Sequence, residues 1–412
     1  MIDLGLARVA ALLRHTPQTW KAIHVAGTNG KGSICAYLTA MLRANRISCG
    51  RFNSPHLIDR WDCITINDSA VSENKFRYFG ELVKKRNQDH KLGASEFELL
   101  TATAFEIFEA EKVEVGVIEV GLGGRLDATN VLKQKSVTVI SKIGLDHQSF
   151  LGNTLEEITL QKAGIMQKGV PCVVDARNPK SVLDVVQQHA NETGASLHFA
   201  DPGSSKIMVE IGDEFEPHQC QNLACAYEAF RLVYPHYAGS TGGLVSAIKA
   251  AVWPGRLQPL NIKRLTGRTE DVLLDGAHNP QSADVLSAFV EKRLRVGAEP
   301  VTWVLAASEG KDIGEILRLI LRPGDNVVAV EFGPVDGMPW VRPMNSGTIL
   351  QRVRESGVAV STQHSALKSL SSALDWASRT AEGGPLVIAG SLYLISDVLK
   401  LLRAKGIQSR VP

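Results

Sequence analysis

The segment HVAGTNGKGS, residues 24–33, constrains this chain more than any other stretch. An apolar run, residues 21–26, leads into it, and a helical stretch, residues 32–44, follows. Glycines let a backbone fold tightly enough for its N–H groups to turn inward around an anion, and a helix that starts there adds partial positive charge. The pattern predicts a phosphate-binding loop built from Gly27, Thr28, Asn29, Gly30, Lys31, Gly32 and Ser33. Lys31 would set an ammonium on the outer phosphates, and Ser33 would offer a hydroxyl near a metal ion. The general phosphate-loop pattern is met imperfectly. Gly32 separates Lys31 from Ser33, and Val25 stands where the first glycine is expected. An ordinary glycine-rich turn with an exposed lysine is the competing reading.

Short β-rich runs alternate with longer helical ones. Strands are expected over residues 21–26, 49–52, 115–120, 137–142 and 171–175, with helices over 32–44, 95–111 and 155–165. A second alternating set has strands over 272–274, 302–306, 327–331 and 385–389, with helices over 282–293 and 313–320. Such alternation implies an α/β fold with mainly parallel sheets covered by helices. With 412 residues, two domains are the default. The expected division is 1–253, a phosphate-loop domain; 254–271, a connection rich in Pro, Gly and charge; and 272–412, a smaller α/β domain.

The net charge of +2 gives no electrostatic case for a nucleic-acid or membrane partner. No apolar run approaches the roughly 20 residues that span a bilayer. The N-terminal segment 1–20 reads as an amphipathic helix without a signal peptide's cleavage pattern. It carries Arg8, Arg14 and no acid beyond Asp3, so a mitochondrial reading stands beside the expected cytoplasmic one. The six cysteines form no C-x-x-C pair and read as buried free thiols.

The loop GTNGKGS resembles the form found in the Mur ligase superfamily, above all its folate branch. Further segments follow in that branch's order: NSPHL at 53–57, EFELLTATAFEIF at 96–108, EVGLGGRLDATN at 119–130, DHQSFLGNTLEEITLQKAGI at 146–165, WPGRLQ at 253–258, LDGAHNP at 274–280 and GSLYLI at 390–395. The resemblance spans residues 24 to about 395. It implies an ATP- and magnesium-dependent ligase, monomeric, in which a carboxylate attacks the γ-phosphate and the amine of glutamate displaces phosphate from the acyl phosphate. It also implies that the first domain binds ATP and the acid substrate and that the second is Rossmann-like. Such chemistry asks a protein for positioning and charge neutralisation.

The resemblance assigns roles residue by residue. Glu119, Ser54 and His147 become magnesium ligands. A carboxylate at a buried strand end suits a hard cation, whereas an imidazole on magnesium is unusual, and a loop histidine is the plainer reading of His147. Lys162, 15 residues after His147, matches the position of a carbamylated lysine. Arg256 would meet the triphosphate, Asp275 the ribose and His278 the reacting region, with ATP enclosed as the two domains close. Asn222, after His218 and Gln219, matches an adenine contact, with a buried amide as the alternative. Ser391 is a candidate for glutamate, or a strand–helix turn. A monovalent cation is a candidate cofactor that no residue pattern here marks.

Two acids compete. Asp127 could accept from pterin N–H groups and Phe97 could stack on the ring, with Ser95 and Ala128 beside them. GRLDAT, residues 124–129, resembles the version in enzymes that make dihydrofolate, and residues 59–68 resemble fungal enzymes of that single activity. The expected substrates are therefore dihydropteroate, glutamate and ATP. Extension of a glutamate tail on tetrahydrofolate, alone or as a second activity, is the alternative. A nucleotide-dependent switch or small-molecule kinase is the reading from another class.

Overall fold

A computed structural model describes residues 5–237, 242–251, 253–297, 299–364 and 369–406. It divides into two compact units, residues 1–56 with 61–252, and residues 57–60 with 253–411. The first four residues of the N-terminal helix candidate lie outside the described part. Within the rest of that candidate only Ala7–Leu12 is helical, burying Val9 and Leu12; residues 13–20 run as turns and irregular backbone into the first strand.

The first unit is built on eight strands: β1 Lys21–Ala26, β2 Cys49–Phe52, β3 Ile64–Ile66, β4 Ser69–Ala70, β5 Val115–Glu119, β6 Lys135–Ile140, β7 Cys172–Asp175 and β8 Leu197–Ala200. Their order in the sheet is β4-β3-β2-β5-β1-β6-β7-β8. β2 pairs antiparallel with β3, and β3 with β4; the other pairs are parallel. Central strands buried on both faces need mostly apolar residues, and Ala22, Ile23, Val25 and Ala26 of β1, Val115, Val117 and Ile118 of β5, and Val137, Val139 and Ile140 of β6 are buried. Ile23 and Val25 pack with the helices Lys31–Ala44 and Pro217–Val233, whereas Ala22 packs beneath Glu96–Ala110. β1 lies where the strand order reverses, and ligands in such sheets collect at the C-terminal ends beside that point.

The second unit has β9 Gln258–Leu260, β10 Val272–Asp275, β11 Thr302–Leu305, β12 Asn326–Ala329, β13 Thr362–His364 and β14 Leu386–Ala389. The order is β13-β12-β11-β14-β10-β9, parallel except for β9. Residues 254–271, expected as a connection, are built into this sheet: β9 pairs with β10, and the short helix Lys263–Thr266 follows it. Residues 57–60 also belong here by packing. Ile58 is buried among Ile262, Val304 and Val398, and Arg403 grips Asp59 with both guanidinium nitrogens at 2.5 and 3.0 Å. Among the described residues no helix is long and apolar enough to cross a membrane. Five cysteines are buried, Cys220 is half-buried, and all six are free thiols.

Asp325 organises one end of the second sheet. It is 0% exposed and takes both ends of the Arg295 guanidinium at 2.8 and 2.7 Å. It also accepts from Trp303 Nε1 and from the N–H groups of Val301 and Arg322 at 2.9, 2.9 and 3.0 Å. Removing one partner of a buried pair leaves the other charge uncompensated. Asp325→Ala is expected to lower unfolding free energy by about 3–5 kcal/mol in urea denaturation; a loss under about 1 kcal/mol, the range of exposed pairs, would contradict this reading.

Candidate active site

The chain leaves β1 through two close approaches. Gly27 has φ +148°, and a Cβ there would fall 1.8 Å from Ser141 Oγ; Gly30 has φ +88°, and its Cβ would fall 2.1 Å from Asn222 Oδ1. Glycine is required at both places. The N–H groups of Thr28 and Asn29 donate to Lys142 O at 2.9 and 3.1 Å, and Ser141 Oγ donates to Asn29 O at 2.7 Å. Thr28 Oγ1 exchanges hydrogen bonds with both backbone groups of Gly144, each 3.0 Å. The first half of the loop thus rests on the residues after β6. The second half opens the helix Lys31–Ala44, whose N-cap, Gly30, provides no side-chain cap. The N–H groups of that opening turn at Lys31, Gly32 and Ser33 point where an anion is favoured.

Glu119 ends β5 beside Val25 of β1 and is 6% exposed. Its Oε2 accepts from Asn53 Nδ2 at 2.7 Å, and its Oε1 lies 3.8 Å from Lys31 Nζ, which also donates to Thr28 O at 3.2 Å. Lys162, on the helix Leu155–Ala163, is 5% exposed and donates to Gly27 O at 2.8 Å. The structure therefore brings Lys31, Glu119, Lys162 and Asn222 to one loop. Burial, reinforced by the like charge of Lys31, brings the Lys162 amine down to about 7, while Asp146 and Asp127 pull the other way.

Ser54 follows Asn53 on a half-buried turn with a cis bond to Pro55. His147 holds φ +52°, its side chain is 48% exposed, and its Nε2 lies 4.0 Å from Asp146 Oδ1. Among the described residues no three His, Cys, Asp or Glu side chains group as a metal cage. One buried carboxylate and a nearby hydroxyl fit a hard divalent ion that takes its remaining oxygens from phosphate and water.

Most of the expected acid-binding set is otherwise employed. Asp127 is 1% exposed: its Oδ1 accepts from Thr129 N and Oγ1 at 3.0 and 2.5 Å, and its Oδ2 from Leu122 N at 2.8 Å. Burial raises its carboxyl above the usual range, while the Thr129 and Leu122 hydrogen bonds oppose that. These bonds brace its own loop. Ser95 caps the helix Glu96–Ala110 in a reciprocal box with Glu98, and Ala128 is buried in the core. Phe97 alone keeps a half-buried ring, stacked on Phe52 at 6.1 Å and lying over Gly121, where a Cβ would meet Phe97 Cζ at 2.4 Å.

In the second unit Asp275 is 7% exposed and accepts from Leu257 N and Ala277 N, each at 2.8 Å. Burial raises its carboxyl, and Arg256 opposes the shift. Arg256 Nη1 donates to Gly255 O at 3.1 Å. His278 sets Nδ1 2.8 Å from Gly276 O, which makes Nδ1 the N–H donor and Nε2 the acceptor in the neutral ring. Ser391 is 3% exposed and caps the helix Leu392–Ala404, the strand–helix turn of the two readings. His218 is held near 4 by burial, with Glu216 opposing, and Gln219 closes a capping box with Glu216.

Residues 258–401 match the family described as dihydrofolate synthetase, C-terminal domain. The chain is 38% identical to the probable dihydrofolate synthetase of Schizosaccharomyces pombe, over 98% of this chain and 99% of that protein. It is 37% identical to the dihydrofolate synthetase of Saccharomyces cerevisiae, over 97% and 98%. The chain belongs to the dihydrofolate synthase and folylpolyglutamate synthase family. Among solved structures it resembles Mycobacterium tuberculosis folylpolyglutamate synthase complexed with ADP and AMPPCP, with TM-score 0.80, 26% identity and coverage of 96% and 95%. It also resembles a bifunctional folylpolyglutamate synthase/dihydrofolate synthase with Mn, AMPPNP and L-glutamate bound, with TM-score 0.77, 28% identity and coverage of 98% and 95%. The two mainly parallel sheets are those expected of a Mur ligase-type fold.

In this family member, Asn53 and Ser141 are the residues that sequence reasoning missed. Asn53 had a signal, since it begins the NSPHL segment; Ser141 had none, because its contact with Gly27 joins positions 114 apart in the chain.

The Lys162 shift has a stability consequence. Between about 7 and about 10.5 the unfolded chain binds a proton at this amine and the folded chain does not, so stability rises with pH across that window. In urea denaturation under CO2-free buffer, wild type is expected to gain on Lys162→Met as pH goes from about 7 to about 9. A constant gap between the two would contradict the buried neutral amine.

Proposed function

We propose that this chain is a dihydrofolate synthase, joining L-glutamate to 7,8-dihydropteroate with consumption of ATP. The observation that carries the choice of acid is the 37–38% identity, over nearly the whole chain, to two fungal proteins named for that activity. The chemistry is supported by the cluster at residues 27–33, where two lysines and a buried carboxylate surround an uncapped helix start.

In this reading the helix N–H groups and Lys31 hold the β- and γ-phosphates, and Arg256 and Asp275 serve the triphosphate and ribose. Glu119 and Ser54, with His147 as third donor, would hold magnesium, which when bound would supply neutralisation of the γ-phosphate charge. A pterin carboxylate oxygen bonds to the γ-phosphorus as ADP leaves. The glutamate nitrogen then bonds to the acyl carbon, phosphate leaves and the amine loses a proton, with His278 Nε2 as its acceptor. The neutral Lys162 amine adds CO2, releasing one proton and giving a carbamate anion beside Lys31. Phe97 supplies the stacking surface for the pterin.

A second reading has one specific support: a Bacillus subtilis dihydrofolate synthase/folylpolyglutamate synthase is 30% identical over 97% of the chain. The test is phosphate release from ATP with Mg2+, with and without glutamate, comparing 7,8-dihydropteroate with tetrahydrofolate. Glutamate-dependent release with dihydropteroate alone is expected. Release with tetrahydrofolate alone would overturn the assignment, release with both would make the enzyme bifunctional, and release without glutamate would favour a kinase.

A further inference from the structure

Strand β1 carries a polar residue that the chemistry above leaves unused. His24 is 0% exposed in a strand whose other buried side chains are apolar, three residues before Gly27. Its Nε2 lies 2.8 Å from Thr129 Oγ1, and Thr129 Oγ1 lies 2.5 Å from Asp127 Oδ1. Asp127 Oδ1 also accepts from Thr129 N, and Oδ2 from Leu122 N. The chain β1–His24–Thr129–Asp127–Leu122 therefore ties the strand that carries the phosphate loop to the segment 121–130. That segment packs on Lys162's helix, with Arg125 N donating to Gln161 O at 2.8 Å, and carries Gly121 under the Phe97 ring.

The proton positions along this chain are fixed by chemistry. A hydroxyl has one proton, and that of Thr129 goes to the carboxylate, which only accepts when ionised. Thr129 Oγ1 is then the acceptor from His24, so Nε2 carries the imidazole proton. Nδ1, buried and without a hydrogen-bond partner, is left with a lone pair rather than an unmet N–H. Burial and the charge of Lys135 hold the ring well below the usual histidine range, so it stays neutral.

We propose that His24 is a positioning residue: through Thr129 and Asp127 it sets the 121–130 segment, and with it the ring-stacking surface for the acid substrate, in register with the phosphate loop. None of His24, Thr129 and Asp127 lies in the phosphate loop 27–33, so loss of the bridge is expected to act on the acid more than on ATP. The proposal rests on the reading of the acid substrate as a pterin carboxylate.

The experiment compares Thr129→Val, Thr129→Ser, His24→Leu and His24→Gln with wild type in the phosphate-release assay, using whichever pterin acid the wild type turns over. Thr129→Val keeps the shape and removes the hydroxyl; Gln at 24 retains a donor at the Nε2 position. Loss of a hydrogen bond in a charge-linked chain predicts an acid KM about tenfold higher for Thr129→Val and His24→Leu, with ATP KM within about twofold. Thr129→Ser and His24→Gln are expected to restore most of the acid KM. Should His24→Leu fail to fold, the Thr129 pair decides. Equal rises in both KM values, or an unchanged acid KM, would overturn the bridge while wild-type turnover leaves the functional reading standing. Wild type inactive with both acids would overturn that reading instead, together with the role assigned to His24. Histidine 15N resonances give a readout independent of turnover: Nε2-protonated, Nδ1-bare His24 is expected, and an Nδ1-protonated ring would overturn the proposal.

Discussion

The Lys162 amine rests 2.8 Å from the carbonyl oxygen of Gly27, and the first unit is arranged around that contact. An amine buried this deeply is costly in its charged form, and the site relieves the cost by bringing it down to about 7. The bond fixes the helix Leu155–Ala163 to the point where β1 turns into the phosphate loop. Gly124 then approaches the same helix so closely that a Cβ would fall 2.8 Å from Lys162 O. Loop, helix and the 121–130 segment therefore pack directly on one another, and Glu119 at the end of the neighbouring strand is joined to them through Lys31 and to Asn53.

Four buried carboxylates show how partners decide role. Asp127, Asp275 and Asp325 each take backbone N–H groups on both oxygens and so organise turns and strand ends. Glu119 accepts an amide N–H from Asn53 and lies 3.8 Å from the Lys31 ammonium, at the edge of the phosphate loop. A buried carboxylate in that place suits a hard cation. The residue type is shared among these positions, and the partners differ: backbone N–H groups at three of them, a side-chain amide and an ammonium at Glu119.

This separation explains what could be read from the chain alone. The apolar runs of β1, β2, β5 and β7 announce themselves because strands buried on both faces leave few polar positions. The helix Ile313–Ile320 stands at the expected residues because Ile313, Ile316, Leu317 and Ile320 repeat at helical spacing and are buried. The two- and three-residue strands β3, β4 and β9 carry too short a pattern, and their pairing is set by neighbours. At the site, the glycine loop, Glu119 and Lys162 are legible because their chemistry is tied to local spacing. The work of Asp127, Ser95 and Ser391 is not, because a hydroxyl or carboxylate that caps a turn and one that meets a ligand look alike in sequence. The His24–Thr129 contact joins positions 105 apart and leaves no local trace.

The account turns on a Lys162 amine that is neutral in a useful fraction of molecules beside the phosphate loop. The most direct measurement is 13C NMR of the protein in 13C-bicarbonate, compared with Lys162→Arg. A carbamate carbonyl resonance in wild type, absent from Lys162→Arg and lost with activity in CO2-depleted buffer, is the predicted result. No such resonance, with full activity in CO2-depleted buffer, would contradict it and leave Lys162 as a plain cation tying its helix to Gly27.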